Sequence, residues 1–130
     1  MNAATTMNRT ATMTSLPAIL LRAEGAAFFL GAIALYASQG ASAVMFVLLL
    51  FTPDLSMVGY LASPRLGSLT YNAVHTYALP VALMALALAG QWTLGVQLAL
   101  IWFAHIGMDR MLGFGLKYPT AFKDTHLQRV

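Results

Sequence analysis

Four long apolar segments constrain this sequence of 130 residues more than any other feature. A helix needs about 20 consecutive, mostly apolar residues to cross the hydrocarbon core of a bilayer. Because no water is present there, the backbone must satisfy its hydrogen bonds within the segment, which favours helices. The segments do not alternate between apolar and polar residues, which argues against a transmembrane β-barrel. They cover residues 16–37, 41–62, 67–89 and 94–112.

The composition agrees with a protein whose main solvent is lipid. Hydrophobic residues make up 59% of the chain and charged residues 8%, against about 25% charged residues in a soluble domain. Short connections join the segments, so neighbouring helices must run antiparallel. We therefore predict an all-α membrane protein, a four-transmembrane-helix antiparallel bundle over residues 16–112. A disordered N-terminal tail, residues 1–15, precedes the bundle, and a cytoplasmic interfacial tail, residues 113–130, follows it.

The composition excludes cysteine chemistry and argues against a nucleic acid partner. The chain contains no cysteine, which excludes disulfides, thiolate metal sites, iron–sulfur clusters and cysteine nucleophiles. The net charge of +3 includes seven basic residues. Because these form no single run, we expect no nucleic acid partner.

The basic residues are unevenly distributed between the two ends of the predicted bundle. With four crossings both termini lie on one side of the membrane, here called side A. The two connections on the opposite side, side B, carry no charge. By the positive-inside rule this asymmetry predicts that side A, with both termini, is cytoplasmic. The cations of the loops and tails on side A are Arg9, Arg65, Lys117, Lys123 and Arg129.

The ionisable residues of all four predicted helices lie towards side A. Such groups are costly in the hydrocarbon region unless they face the protein interior or water, and they commonly mark function. His105 and Asp109 are four residues apart and share a helix face, as do Asn72 and His75 at a spacing of three. The sequence therefore predicts a polar pocket that opens to the cytoplasmic interface. Its members are Arg22, Glu24, Asp54, Asn72, His75, His105, Asp109 and Arg110.

Within this set, two imidazoles and two carboxylates form a donor group suited to a divalent zinc or manganese ion. Pro53 removes a helical hydrogen bond, so we expect a kink that turns Asp54 inward and leaves a free carbonyl nearby. Pro80 is expected to kink the third helix close to His75 for the same reason. The predicted metal ligands are Asp54, His75, His105 and Asp109.

A metal held in this way would lower the pKa of a bound water towards neutrality. The leading hypothesis is a metal-dependent hydrolase-like site that acts on a lipid or amphiphile at the cytoplasmic interface. Glu24 would be the general base. Cations and polar side chains would bind an anionic group of the substrate, a phosphate or a carboxylate. The predicted substrate-binding residues are Arg22, Arg110, Lys117, Tyr118 and Asn72.

Other interpretations remain open at this point. Glu24 paired with Arg22 or Arg110, and Asp109 paired with Arg110, would be structural ion pairs, and the protein a non-enzymatic accessory protein that docks a membrane partner. A proton pathway is disfavoured because the side-B half of the bundle lacks deep polar residues. A haem bound by His75 and His105 is disfavoured by the carboxylates beside them.

The C-terminal tail and the first helix raise two further expectations. The cations and aromatic residues after Gly115 suit an interfacial anchor; alternatively, the tail folds over the polar end as a lid that brings His126 or Asp124 to the cluster. In the first helix, Gly25 and its small neighbours would permit close packing to a second copy of the chain. A homo-oligomer or a membrane-complex partner is therefore open.

Several stretches resemble an uncharacterised bacterial membrane family, domain-of-unknown-function family 4260. They are RAEGAAFFLGAIALY, TPDLSMVGY, YNAVHTYALP and AHIGMDRMLGFGLKYPTAFKDTHL, in this order along the chain. The resemblance covers residues 22–127 and implies a four-helix protein of the bacterial inner membrane, without implying an activity. The shorter stretch 105–119 also resembles membrane-bound metal-dependent hydrolases, although it lacks their full set of histidines.

Overall fold

The computed structural model describes residues 15–117 and 125–129, and in these ranges the chain is almost entirely helical. The predicted N-terminal tail, 1–15, lies outside the described residues except for Ser15, whose hydroxyl accepts from the Ala18 amide and caps the first helix. Near the C-terminus, Lys117 and Thr125 form an isolated antiparallel β-bridge. The helices are α1 Leu16–Ser38, α2 Ala43–Leu49, a 3₁₀ helix Thr52–Leu61, α3 Pro64–Val74, α4 Ala78–Ala89, α5 Thr93–Leu112 and α6 His126–Arg129.

These helices make up four membrane-length segments, which we call legs, and the legs pack as a bundle. This confirms the predicted all-α class. The first three legs, Leu16–Ser38, Ala43–Leu61 and Pro64–Ala89, are each long and apolar enough to cross a membrane. Many large apolar side chains on these legs are exposed, such as Leu61 at 87%, as expected for a protein solvated by lipid. The fourth leg, α5, has 20 residues and buries half of its length in the bundle.

The second and third legs are interrupted, whereas the sequence predicted kinked but continuous helices. The second leg changes from α-helix to 3₁₀ helix at Leu50–Phe51, and the third leg breaks at His75–Tyr77. Pro53 explains the first interruption, because it has no amide hydrogen to continue the α-helix. The third leg was expected to kink at Pro80; it instead opens completely just before α4, and Pro80 lies in the first turn of α4, where proline is tolerated.

The most extensive packing in the bundle joins α1 to α5. Gly25 of α1 and Gly107 of α5 allow this approach: a Cβ added to Gly25 would lie 2.7 Å from the Gly107 carbonyl oxygen, and one added to Gly107 would lie 2.7 Å from the Gly25 carbonyl oxygen. The space that suggested contact with a second copy at Gly25 is thus occupied by α5 of the same chain. A Cβ added to Gly31, by contrast, would meet nothing within 4 Å.

Two further helix contacts involve parts of the interrupted legs. The 3₁₀ helix packs on α3, and α4 packs on α5. At the side-B end an apolar core forms around Tyr36, Leu100 and Ile101, and the Tyr36 hydroxyl donates to the Ser42 carbonyl at 2.6 Å. The two interruptions lie further towards side A, where they meet the polar residues of α5.

Candidate metal centre

Asp54, His75, His105 and Asp109 meet at one point inside the bundle. The two imidazole Nε2 atoms are 3.0 Å apart. Asp54 Oδ1 lies 3.3 Å from His75 Nε2 and 3.2 Å from His105 Nε2, and Asp109 Oδ2 lies 3.4 Å and 3.2 Å from the same two atoms. Both imidazoles are fully buried. We call these four residues the His/Asp cluster.

The spacing of these four atoms matches a metal coordination shell. One donor atom from each residue lies within 4.8 Å of all the others. Zinc ligands in proteins bind at about 2.0–2.2 Å, so neighbouring donors of a tetrahedral ion stand about 3.3–3.6 Å apart. The donor–donor distances of 3.0–3.4 Å within the His/Asp cluster are close to this value. The cluster therefore has the size, as well as the chemistry, of a divalent metal site.

Backbone carbonyls fix the orientation of both imidazole rings. His75 Nδ1 lies 2.8 Å from the Tyr71 carbonyl oxygen, and His105 Nδ1 lies 2.7 Å from the Leu50 carbonyl oxygen. A carbonyl only accepts, so each Nδ1 must carry the hydrogen and donate it. In the neutral rings each Nε2 is then an acceptor aimed into the cluster, where ionised carboxylates also only accept. Four acceptors thus converge, which is the usual tautomeric arrangement of metal-binding histidines.

The interruption of the second leg supplies the carbonyl that holds His105. Because Pro53 has no amide hydrogen, the Leu49 carbonyl accepts instead from the Thr52 hydroxyl at 2.7 Å. The Asp54 amide turns to the Phe51 carbonyl at 3.1 Å, in 3₁₀ fashion. The Leu50 carbonyl is therefore available to His105. The free carbonyl expected near Pro53 is this one.

The interruption of the third leg is stabilised by side chains of α5. Trp102 Nε1 donates to the Val74 carbonyl at 2.7 Å, and Arg110 Nη2 donates to the His75 carbonyl at 3.0 Å. Unpaired carbonyls would be costly in the apolar interior of the bundle. Trp102 and Arg110 therefore allow the chain to open at His75, and the opening places the His75 ring against His105.

The arginines bind backbone carbonyls, and the structural ion pairs considered from the sequence do not appear among the described residues. Arg110 Nη1 also donates to the Phe114 carbonyl at 3.0 Å, and Arg22 Nε donates to the Met111 carbonyl at 3.0 Å. Asp54 and Asp109 each form ion pairs with both cluster histidines. The carboxylates are thus directed at the imidazoles rather than at the guanidinium groups.

On side A the cluster is covered by the start of the C-terminal tail. The Tyr71 ring stacks on the His75 ring with centroids 3.7 Å apart, and Lys117 Nζ lies 4.6 Å from the Tyr71 ring centroid. Asn72 holds the tail in place: its Nδ2 donates to the Lys117 carbonyl and its Oδ1 accepts from the Lys117 amide, both at 2.6 Å. Burial lowers the pKa of Lys117, and the Asp109 and Asp54 carboxylates oppose this shift.

The remaining predicted residues that the structure describes lie outside the His/Asp cluster. Glu24 is exposed on α1 and is not part of the converging group. Tyr118 and Asp124 lie outside the described residues. His126, considered as part of a lid, instead accepts from the Leu116 amide at 2.7 Å through Nδ1, and burial lowers its pKa. The described part of the tail covers the cluster through Lys117 and not through an added ligand.

The sequence predicts a free carbonyl near Pro53 and favours Tyr71 and Trp102 as nearby partners of the histidines, but it does not show which groups make the contacts. The Leu50 and Tyr71 carbonyls hold the histidines, and the Trp102 indole stabilises the break beside His75. Tyr71 was detectable in principle, because it precedes His75 by four residues and so shares its helix face. The partners of the other two are 55 and 28 residues away in the sequence, and no local pattern marks such contacts.

With this geometry established, the comparison with protein families is informative. The family described as Domain of unknown function (DUF4260) matches residues 18–130. The chain belongs to this family. The match includes all four residues of the His/Asp cluster and confirms the resemblance noted from the sequence. No curated protein and no solved structure gives a significant match to the chain.

Proposed function

We propose that this DUF4260 member is a membrane protein that binds a divalent metal ion, zinc or manganese, at the His/Asp cluster. The observation that carries the proposal is the convergence of four acceptor atoms whose histidine tautomers are set by backbone carbonyls. A divalent cation satisfies all four acceptors at once. Its two charges also balance the two carboxylates, so the loaded centre is electrically neutral within the bundle.

A shared proton is the competing way to hold these groups together. One protonated imidazole would donate from a single Nε2 and would leave the remaining acceptors of the cluster facing each other. Buried polar groups without partners destabilise a fold by about 1–3 kcal/mol each. The five distances are close to those expected for neighbouring ligands, and one ion meets all four acceptors, which supports a metal ion over a proton.

Hydrolysis is the chemistry that this donor set suits best. When bound, zinc or manganese polarises a substrate oxygen and lowers the pKa of a coordinated water. Asp54 is the most open ligand, with 34% of its side chain exposed against 10% for Asp109. We assign to Asp54 the position where water or substrate approaches. Glu24 is proposed as the general base from the sequence, although it is exposed on α1 and outside the cluster. If it has that role, Glu24→Gln should lower hydrolysis while the metal content is unchanged.

The substrate we propose is a lipid or another amphiphile, and the location is the bacterial inner membrane with both termini in the cytoplasm. The three apolar legs support a membrane location. Among the predicted substrate-binding cations, Arg22 and Arg110 already bind backbone carbonyls. Lys117 lies next to the cluster through Tyr71, and because of this position we propose it as the cation that binds an anionic substrate group.

Elemental analysis of the purified full-length protein tests the metal site. We expect about one equivalent of zinc or manganese per chain after purification without chelator, because a buried four-donor site binds tightly. His105→Ala and Asp54→Asn should each lower the content at least about tenfold, as loss of one ligand predicts. His126→Ala is the matched control, since His126 lies outside the cluster, and should retain the metal.

Two results would overturn the proposal. The first is wild-type protein that holds less than about a tenth of an equivalent of any transition metal even after incubation with zinc and manganese, since a site of this kind saturates readily. The second is an His105→Ala variant that keeps its metal. If wild-type protein binds no metal and His105→Ala only lowers the melting temperature, the cluster is structural and the accessory-protein interpretation holds.

A further inference from the structure

An apolar groove of about 320 Å³ lies between the second leg, the third leg and α5. At its cluster end the walls include Pro53, Val74 and Trp102, and at its side-B end they include Leu83 and Leu98. Leu98 and Trp102 are four residues apart on α5, so the groove follows the helix for at least about 6 Å. We call it the lateral groove.

The lateral groove adjoins the His/Asp cluster at three points of the chain. Pro53 precedes the ligand Asp54, and Val74 precedes the ligand His75. Leu49, also in the wall, precedes Leu50, whose carbonyl holds His105. A molecule lying in the groove would therefore end beside the cluster.

The walls of the lateral groove select an apolar occupant. Its polar wall groups already have partners within the protein: the Thr52 hydroxyl donates to the Leu49 carbonyl, and the Trp102 indole donates to the Val74 carbonyl. Since a water molecule in a cavity needs two or more polar partners, these walls do not suit water. They suit a hydrocarbon.

The volume of the groove distinguishes between apolar occupants. An α-helix with its side chains is about 10–12 Å wide, so even two turns of a partner helix would exceed 320 Å³. A methylene occupies roughly the volume of a water molecule in the liquid, about 30 Å³, so the groove accommodates roughly ten methylenes. That is the size of one acyl-chain segment.

We propose that the lateral groove holds one acyl chain of a bilayer phospholipid, with the polar linkage of that chain at the His/Asp cluster. The proposal rests on the proposed function and names its substrate class. It also assigns the route of access. Tyr71 and Lys117 cover the cluster on side A, so the lipid enters sideways from the bilayer, past the more open ligand Asp54.

A second groove, of about 360 Å³, lies between α1, α4 and α5 and includes Gly31 and Phe103. It is even more apolar than the lateral groove, but none of its wall residues adjoins a cluster ligand in the sequence. A chain in that groove would be an ordinary neighbour from the bilayer. The continuity with the cluster is what singles out the lateral groove.

Native mass spectrometry of the metal-loaded, full-length protein tests this assignment. The protein is reconstituted in vesicles of phosphatidylethanolamine and phosphatidylglycerol, extracted in mild detergent and analysed for retained phospholipid. We expect one phospholipid per chain. Leu98→Trp and Leu83→Trp, which fill the groove from opposite walls, should each lower its occupancy at least about tenfold, because the larger side chain takes the space of the acyl chain and overpacking is strongly unfavourable.

Leu86→Trp is the matched control, since Leu86 belongs to α4 but is 73% exposed, and it should retain the lipid. Helical content and metal content, measured on every variant, show that the folds are comparable. Retention of lipid by both groove-filling variants would overturn the assignment, and so would a wild-type protein without bound phospholipid. A wild-type dimer that dissociates in the groove-filling variants would also overturn it, because the groove would then bind a second copy of the chain. Lipid retained by a metal-free His105→Ala variant would support the groove while contradicting only the coupling to the metal.

Discussion

At the scale of single residues, Pro53 connects the amino-acid sequence to the geometry of the His/Asp cluster. Proline removes one amide hydrogen from the second leg, and the Leu50 carbonyl becomes available to the ring of His105 at 2.7 Å. Outer hydrogen bonds of this kind fix the tautomer and direction of a histidine ligand. A residue that touches no ligand atom thereby decides where His105 Nε2 points.

Replacing Pro53 should weaken metal binding without removing a ligand. Pro53→Ala restores an amide that can donate to the Leu49 carbonyl, which favours continuation of the α-helix and withdraws the Leu50 carbonyl from His105. We expect the zinc affinity, measured by competition with a chelating dye, to fall about 10–100-fold, the usual effect of losing an outer hydrogen bond.

Pro17→Ala is the control for that change, because Pro17 lies in the first turn of α1, where proline costs a helix nothing. This variant should bind zinc like the wild type. An unchanged affinity in Pro53→Ala would mean that packing of the 3₁₀ helix on α3, and not the proline, holds the second leg open.

At the scale of secondary-structure elements, the contact between α1 and α5 organises the bundle. α5 carries His105 and Asp109, and α1 supports it along the opposite face through Gly25 and Gly107. Small residues let transmembrane helices approach closely enough for extensive van der Waals contact, which drives their association in lipid. The position of α5 and hence of two ligands depends on this approach.

Gly25→Ala should separate the two helices. The added Cβ would lie 2.4 Å from the Arg110 Cβ and 2.7 Å from two backbone atoms of α5, which cannot move aside as a flexible side chain would. Overpacking of this kind costs about 1–3 kcal/mol. We expect a clearly lower melting temperature in detergent, together with weaker metal binding.

Gly31→Ala provides the comparison on the same helix. Its Cβ would meet nothing within 4 Å, and alanine is a better helix former than glycine by up to about 1 kcal/mol. This variant should be as stable as the wild type or slightly more stable. Equal losses of stability in the two alanine variants would show that the α1–α5 contact is not governed by Gly25.

At the scale of the whole molecule, polar and apolar side chains are separated along the bundle axis. Polar contacts gather around the breaks of the second and third legs, while the side-B end contains the apolar core of Tyr36, Leu100 and Ile101. The cluster lies about 10 Å inside the side-A end of α5, because His105 precedes Leu112 by seven residues and each residue rises about 1.5 Å. A neutral, metal-loaded centre at this depth is compatible with lipid around it.

The uneven distribution of cations predicts the orientation of the bundle. We expect both termini in the cytoplasm, since the loop and tail cations belong to side A and the two side-B connections carry none. Activity reporters for the cytoplasm and the periplasm, fused to the C-terminus and inserted after Gly90, measure it. Opposite locations for the two fusions support four crossings, and a periplasmic C-terminus would contradict the orientation.

The sequence by itself determined the helical class, the segments that make the legs and the four residues of the His/Asp cluster. These properties are local or additive: a segment is long and apolar on its own, and imidazole and carboxylate donors suit a hard or intermediate cation wherever they meet. Even the gathering of polar residues towards side A follows from counting positions along antiparallel helices.

Only the tertiary structure decided that the third leg breaks at His75, which carbonyls hold the histidines, and that Arg22 and Arg110 bind the backbone. The Leu50 carbonyl and His105 are 55 residues apart, and Arg110 and the His75 carbonyl are 35 apart. Such pairs form only when helices pack in a particular order and rotation, because a freed carbonyl takes whichever donor the neighbouring helix presents. The lateral groove likewise exists only between three packed legs, so no single segment of the sequence contains it.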